Sequence, residues 1–270
     1  MKKILKILVL TFMLISITAC GRKEHAKVDK SIPKGYEKCD MGYFQVALPN
    51  DIDMKFDSAT LVSFDNDNFG DDIYITSYIL DGSFSGTDID DIRDIFSAMF
   101  GIKYTEKYEL KKHISKYKVP YYEYEEKSER NYLMTTKACL FINTEARCML
   151  AFQIDYVESA SDKADELYNQ FVDNISKNME ESNIYLINKL KGAVDSYVYY
   201  KDKSDNYFDT HSIFDDDAGS DYADAFSKEL DAKDVAESIK NEVEKISIDS
   251  LSEEEYERYK EVMEYADKHL

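Results

Sequence analysis

Residues 42–178 alternate between two hydrophobic periods. Phe44, Val46 and Leu48 recur at period two and stop at Pro49, whose missing N–H cannot extend a ladder, so the spacing predicts a strand over residues 43–48. Residues 61–64 and 73–80 predict the next two strands, separated by the polar loop 65–72. The period then lengthens. Thr87 precedes Asp90 in a capping-box arrangement with Asp in the Glu position, and Ile89, Ile92, Ile95, Phe96, Met99 and Phe100 follow at helical spacing as far as Gly101. Further strands are predicted over residues 108–119, with Pro120 as a break, and over 121–126, 132–142 and 147–156.

The turn 143–146 closes the last two of these into a tight antiparallel hairpin. Cys139, Phe141, Cys148, Leu150, Phe152 and Ile154 share one of its faces, while Ala138, Leu140, Ile142, Met149 and Ala151 share the other. Two apolar faces mark central strands covered on both sides. In this register Phe141 stands opposite Cys148, and Cys139 opposite Leu150. A helix then starts at Ser161 or Asp162, with Ala164, Leu167, Tyr168, Phe171, Val172 and Ile175 along its apolar stripe.

Residues 181–270 read as helical throughout. Ile184, Ile187, Leu190, Val194 and Tyr197 form one stripe; Tyr222, Ala225, Phe226 and Leu230 another; Val235, Ile239, Val243 and Ile246 a third. The final helix opens on a Ser252/Glu255 capping box and is predicted to bury Tyr256, Tyr259, Met263 and Ala266. These helices form an acidic bundle or pack back on the sheet; the pattern allows both. The predicted fold class is α+β, an antiparallel sheet flanked by helices with an acidic C-terminal helical region.

The first residues set an address. Lys2, Lys3 and Lys6 precede an apolar run of 13 residues, 7–19, too short for the roughly 20 that span a bilayer core. The run ends in Ile17-Thr18-Ala19-Cys20, which resembles the lipobox of bacterial lipoproteins. That resemblance implies cleavage before Cys20, a diacylglyceryl group on its thiol, and stable anchoring outside the cell membrane. The chain then divides into a cleaved signal peptide (1–19), a lipidated tether (20–35), an α/β sandwich domain (36–180) and an acidic helical extension (181–270).

The order of elements in residues 36–180 resembles the PsbP-like superfamily, which includes plant photosystem accessory proteins and bacterial DcrB-type lipoproteins. The points of likeness are the opening strand Phe44-Gln45-Val46-Ala47-Leu48-Pro49, a helix after the third strand, a long meander, and a closing helix ending in Phe171-Val172-Asp173-Asn174-Ile175-Ser176. Ile52 stands where a Trp is common in that superfamily. The resemblance implies a PsbP-like α/β/α sandwich serving as a scaffold or accessory module.

Charge and chemistry refine this reading. With 34 Lys+Arg against 54 Asp+Glu, the formal charge of −20 opposes binding to a phosphate backbone, so no nucleic-acid partner is expected. Loss of Lys2, Lys3 and Lys6 with the signal peptide deepens the acidity, and residues 181–270 hold 24 acidic side chains against 11 basic. Cys39, Cys139 and Cys148 read as buried small hydrophobes, and His25, His113, His211 and His269 show no catalytic or zinc spacing. Loop 65–72 places Asp65, Asp67 and Gly70 as a calcium loop would, but Phe69 and Thr76 occupy positions that need oxygen ligands, the last a bidentate Glu; the acidic turn 215–221 has a comparable defect.

The Tyr clusters at 121–124 and 197–200 reflect strand propensity. No catalytic residue, metal or cofactor is expected, and Cys20 is the one site assigned, for lipidation. The expected function is a non-enzymatic binding or assembly module with a protein or peptide partner. It would lie lipid-anchored on the extracytoplasmic face of the bacterial cell membrane. The alternative is a surface hydrolase using carboxylates near residues 65–72 and 123–129, with or without calcium.

Overall fold

The computed structural model describes residues 34–66, 69–70, 72–80, 94–95, 110–128, 134–178, 180–207 and 218–270. Strands β1 (Tyr36–Met41) and β2 (Phe44–Pro49) form a hairpin that turns on Gly42 at φ +67, the positive value a two-residue hairpin loop needs at its first position. The short strand β10 (Ser176–Lys177) pairs on the other side of β2 and completes a small sheet in the order β1-β2-β10. Phe44, Val46 and Leu48 are buried at the period the sequence predicts.

The larger sheet holds seven antiparallel strands in the order β3-β4-β5-β9-β8-β7-β6. They are β3 (Asp53–Phe56), β4 (Leu61–Asp65), β5 (Ile73–Leu80), β6 (Lys111–Ile114), β7 (Pro120–Ser128), β8 (Met134–Asn143) and β9 (Cys148–Val157). Pro120 opens β7 rather than breaking the chain before it, a first position where no ladder hydrogen bond is lost. The predicted helix around residues 87–100 lies outside the described residues apart from Asp94 and Ile95.

Helix α1 (Ser161–Asn174) lies on one face of the large sheet and ends where Ile175 becomes extended and leads into β10. Its Phe171 stacks on Phe152 at 3.8 Å between ring centroids and meets Phe64 edge-on at 6.1 Å. Cys139, Phe141, Cys148, Leu150, Phe152 and Ile154 all join this core. Ala138, Leu140, Ile142, Met149 and Ala151 belong to a second cluster on the other face, with Tyr122 and Tyr124. The two-faced reading of the hairpin therefore holds.

Its register does not. Asn143 pairs with Cys148, Phe141 with Leu150 and Cys139 with Phe152, two residues from the predicted alignment. Asn143 stays in the ladder and its Oδ1 accepts from the Ala146 N–H (3.3 Å), while Arg147 takes the left-handed conformation at φ 54. The turn keeps four residues but moves one place along the chain, from 143–146 to 144–147. A shift of two preserves which face each side chain occupies, because strand side chains alternate with period two.

Three helices complete the described chain: α2 (Asn183–Asp205), α3 (Ala218–Val243) and α4 (Glu253–His269). Ser182 caps α2 through the Tyr185 N–H, and Ser252 with Glu255 forms the predicted capping box on α4. Ile187, Leu190, Val194, Ala236, Ile239, Val243, Val262 and Ala266 build a helical core, and α2 also lies against β1 and β3. Residues from Lys34 to Leu270 form one compact unit. On α4 the fully buried residues are Val262 and Ala266; Tyr256, Tyr259 and Met263 are half-buried. Among the described residues no helix is long and apolar enough to cross a membrane.

Candidate functional site

Cys20, His25 and His211 lie outside the described residues. Cys39, Cys139 and Cys148 are buried thiols, as expected. Cys139 and Cys148 sit four ladder positions apart in the observed register, about 14 Å at strand rise, and not as the diagonal neighbours the expected register implied. Burial, with Glu37 and Asp40 nearby, pushes the Cys39 thiol up to about 12.

The fold gathers one polar group that the sequence left scattered. Edge strand β6 supplies His113, β7 supplies Glu123, β8 supplies Cys139 and α1 supplies Tyr168. The registers place His113 opposite Tyr121 and Glu123 opposite Cys139, so all three sheet positions share the face that α1 covers. Tyr168 donates its hydroxyl to Glu123 Oε1 (3.0 Å), and its hydroxyl is also within hydrogen-bonding reach of the Cys139 thiol.

His113 Nε2 lies 3.1 Å from Glu123 Oε2, out of line for a hydrogen bond, so this contact is electrostatic and depends on a protonated ring. The His113 ring stacks on Tyr121 at 5.2 Å. Lys137 stands over the Tyr168 ring at 4.7 Å and bonds Asp165 of the same helix at 2.8 Å. Burial lowers the Lys137 pKa, but the Asp165 bond and the nearby carboxylates outweigh it and hold the ammonium above its ordinary value.

Cys139 and Tyr168 retain their protons. Burial pushes the Cys139 thiol and the Tyr168 hydroxyl well above their usual ranges, with the Glu123 charge acting in the same direction on both. Thiol chemistry needs the thiolate, so Cys139 is placed as a poor nucleophile. The arrangement pins α1 to β7 and β8 through a buried hydroxyl and an ammonium. Sequence spacing offered no sign of it, since its four residues come from four elements. Strand parity carried part of the signal: His113, Glu123 and Cys139 share a face once the β6–β7 turn over Ser115–Val119 is fixed.

The carboxylate candidates disperse. In loop 65–72, Asp65 accepts from the Asn66 N–H (2.8 Å), Asn66 donates to Asp51 O (2.6 Å), and Phe69 is buried in the core with Lys163 over its ring. The side chain at the fifth position of the would-be calcium loop thus anchors the loop instead of facing an ion. The acidic turn 215–221 falls partly outside the described residues, and from Ala218 onward it is already helix α3. Among the described residues no three His, Cys, Asp or Glu side chains are grouped to hold a metal. A cavity beneath α1 is walled by Leu48, Ile52, Phe64, Ile75, Phe152, Leu167 and Phe171, with no carboxylate. Its empty space of about 220 Å³, part of it open to solvent, has room for roughly one water.

The helical region offers a surface instead. Phe226 is 44% and Leu230 46% exposed on α3, and Tyr199 on α2 is 54% exposed. The predicted stripe through Phe226 and Leu230 is therefore not the buried one. The inward face of α3 runs through Ala225, Ala232 and Ala236 to Ile239 and Val243, because small residues let α2 and α3 approach closely.

No protein-family model matches the sequence, and no curated protein matches it. Solved structures are similar to part of the chain. The cyanobacterial PsbP of Synechocystis is 13% identical with a TM-score of 0.39, over 53% of this chain and 92% of that one. The Ran-binding protein Mog1p of Saccharomyces cerevisiae is 10% identical with a TM-score of 0.37, over 54% and 96%. A protein of Bacteroides thetaiotaomicron is 14% identical with a TM-score of 0.35, over 75% and 76%.

Proposed function

We propose that this chain is a membrane-anchored extracytoplasmic lipoprotein whose folded body is a non-enzymatic binding or assembly module, held at the outer face of the bacterial cell membrane through Cys20. The observation that carries the binding reading is the set of large side chains left exposed on the acidic helices, Tyr199 on α2 and Phe226 and Leu230 on α3. Side chains of this kind in solvent favour a macromolecular contact. The protonated, buried state of Cys139 and Tyr168 supports the same reading, because it suits a structural clamp better than a nucleophile.

The anchor rests on Ile17-Thr18-Ala19-Cys20 following a basic start and a short apolar run. Two acyl chains on one residue give stable attachment. An anionic body beside anionic lipid stands off from the surface, which leaves the helical region available to proteins. Cys20→Ala is expected to move the protein out of the membrane fraction and to abolish labelling by a palmitate analogue. Continued labelling of that variant would sink the anchoring claim. The binding claim is tested by photo-crosslinking residues placed at Tyr74, Ile114 and Phe226 in intact cells, and it fails if every position yields only lipid adducts.

A further inference from the structure

The hairpin of β6 and β7 carries the opposite charge to the chain as a whole. Between Glu109 and Glu123 there is no carboxylate, while Lys111, Lys112, Lys116 and Lys118 fall within that stretch of a chain whose formal charge is −20. The side chains of Lys112, Lys116 and Lys118 are exposed. Lys116 lies over the neighbouring Tyr117 ring at 5.6 Å, and among the described residues none of these three ammoniums meets a carboxylate. Ile114 stands among them at 66% exposure, the highest of any large apolar side chain described.

The turn is held in one shape. Ser115 and Val119 are buried; Ser115 N–H donates to Val119 O (2.8 Å), Lys118 N–H to Ser115 O (3.0 Å) and Val119 N–H to Ser115 Oγ (3.1 Å), with Lys118 at φ 64. The result is a projecting tip with an apolar residue ringed by lysines and a tyrosine beside them. That is the composition that sits at the headgroup boundary of a bilayer.

Register places the tip at one end of the large sheet. Tyr121 pairs with Phe141 and Phe141 with Leu150, so the β6–β7 and β8–β9 turns leave the sheet together. The β3–β4 turn, which Gly192 of α2 meets, is at the same end but five strand spacings across, roughly 24 Å. Screening over about 8 Å at physiological salt separates the basic tip from the acidic helices. The chain enters the fold at the other end: Gly35 O accepts from the Asn50 N–H (3.0 Å), and Asp51 O from Asn66, which follows the far end of β4. Residues 21–34 reach at most about 50 Å when extended, against roughly 34 Å for the length of β9, so a chain rooted at Cys20 lets the tip touch the lipid.

We propose that the β6–β7 turn is a second membrane contact, with Lys112, Lys116 and Lys118 on anionic headgroups, Ile114 in the headgroup boundary, and the body tilted so that the acidic helices are held away from the bilayer. This inference rests on the anchored-lipoprotein reading and supplies the orientation that reading leaves free. The anchor makes the contact intramolecular in effect, so a few basic side chains suffice. Each is worth a factor of about five beside an anionic surface.

The test uses the full-length lipidated chain with a photo-crosslinking amino acid at position 114, at position 74 toward the opposite end of the sheet, or at position 199 on α2. Each is reconstituted into vesicles of phosphatidylcholine alone or of phosphatidylcholine and phosphatidylglycerol in equal parts. Lipid adducts at 114 are expected to rise with phosphatidylglycerol and to fall in about 1 M salt, where screening acts within about 3 Å, while 74 and 199 stay low throughout. With the crosslinker at 114, Lys116→Gln together with Lys118→Gln is expected to lower the ratio of docked to undocked protein about 25-fold, and Lys116→Arg together with Lys118→Arg to preserve it. Thermal unfolding of each variant at the wild-type temperature excludes misfolding as the cause.

Equal lipid yields from 114 and 74, or no response to phosphatidylglycerol, would overturn the contact and leave the anchor standing. So would an adduct from 114 to a second copy in vesicles, or to another protein in intact cells, in place of lipid. Failure of the unsubstituted chain to float with either vesicle removes the anchor reading and this inference with it.

Discussion

Replacing Gly192 by Ala tests how the C-terminal helices meet the sheet. Gly192 sits in α2 where that helix crosses the turn between β3 and β4. A Cβ placed on it would stand 2.8 Å from Phe56 Cβ, 2.8 Å from Ser58 O and 2.9 Å from Phe56 O. Two of these neighbours are backbone carbonyls, which no rotamer change can remove. The turn is itself tied down: Asp57 N–H donates to Leu61 O (2.9 Å), and Ser58 Oγ accepts from the Leu61 N–H (3.0 Å).

Two effects compete. In an open helix the change to Ala gains about 1 kcal/mol of propensity. Here the new methyl must push the helix off the turn, and overpacking of this kind costs roughly 1–3 kcal/mol. The net expectation is a loss of up to about 2 kcal/mol. At roughly 2–4 °C per kcal/mol for a domain of this size, the melting temperature falls by several degrees. Gly192→Val is expected to fall further, while Ser227→Ala, at an exposed position of α3, holds or rises. Thermal and urea unfolding measure the series. A rise in Tm for Gly192→Ala would mean that α2 does not approach the turn this closely, and the docking described above would be wrong.

Other predictions follow from the core and its polar groups. Phe171→Ala removes the ring stacked on Phe152 and is expected to cost about 3–5 kcal/mol in urea denaturation. Asn143→Ala leaves Tyr43 O and Asn178 O without their shared amide donor and should cost about 1–3 kcal/mol by the same assay. The Cys39 thiol, held up to about 12 against an ordinary 9.0, gives stability that is complete below about pH 9 and is lost as pH rises toward 12. Unfolding free energy should therefore fall by up to about 1.4 kcal/mol per pH unit in that window, and Cys39→Ala should flatten the fall. Cys39, Cys139 and Cys148 are expected to resist iodoacetamide until denaturant unfolds the chain, a protection that mass spectrometry of pulse-labelled protein reads directly.

What could be read in advance divides along a physical line. Side-chain faces follow from period alone, so the apolar sets of β8 and β9 and the stripe of α1 were legible residue by residue. Cross-strand partners depend on where the turn sits, and here Asn143 joins the ladder and Arg147 takes the left-handed position, which moves a four-residue turn one place along the chain without altering composition in any telling way. The polar group around Glu123 belongs to this second kind of information: it exists only because β6, β7 and β8 align His113, Glu123 and Cys139 beneath Tyr168.

The helical region shows the same division in another form. An apolar stripe says that a helix buries something, but not which of two adjacent stripes does so. Ala225, Ala232 and Ala236 carry little hydrophobic weight, yet they win the interface because close approach of α2 needs small side chains. Phe226 and Leu230, heavier on any hydropathy count, are displaced to an exposed flank. That displacement turns a stripe read as core into exposed surface, and it links the packing of the helices to the binding role proposed for the chain.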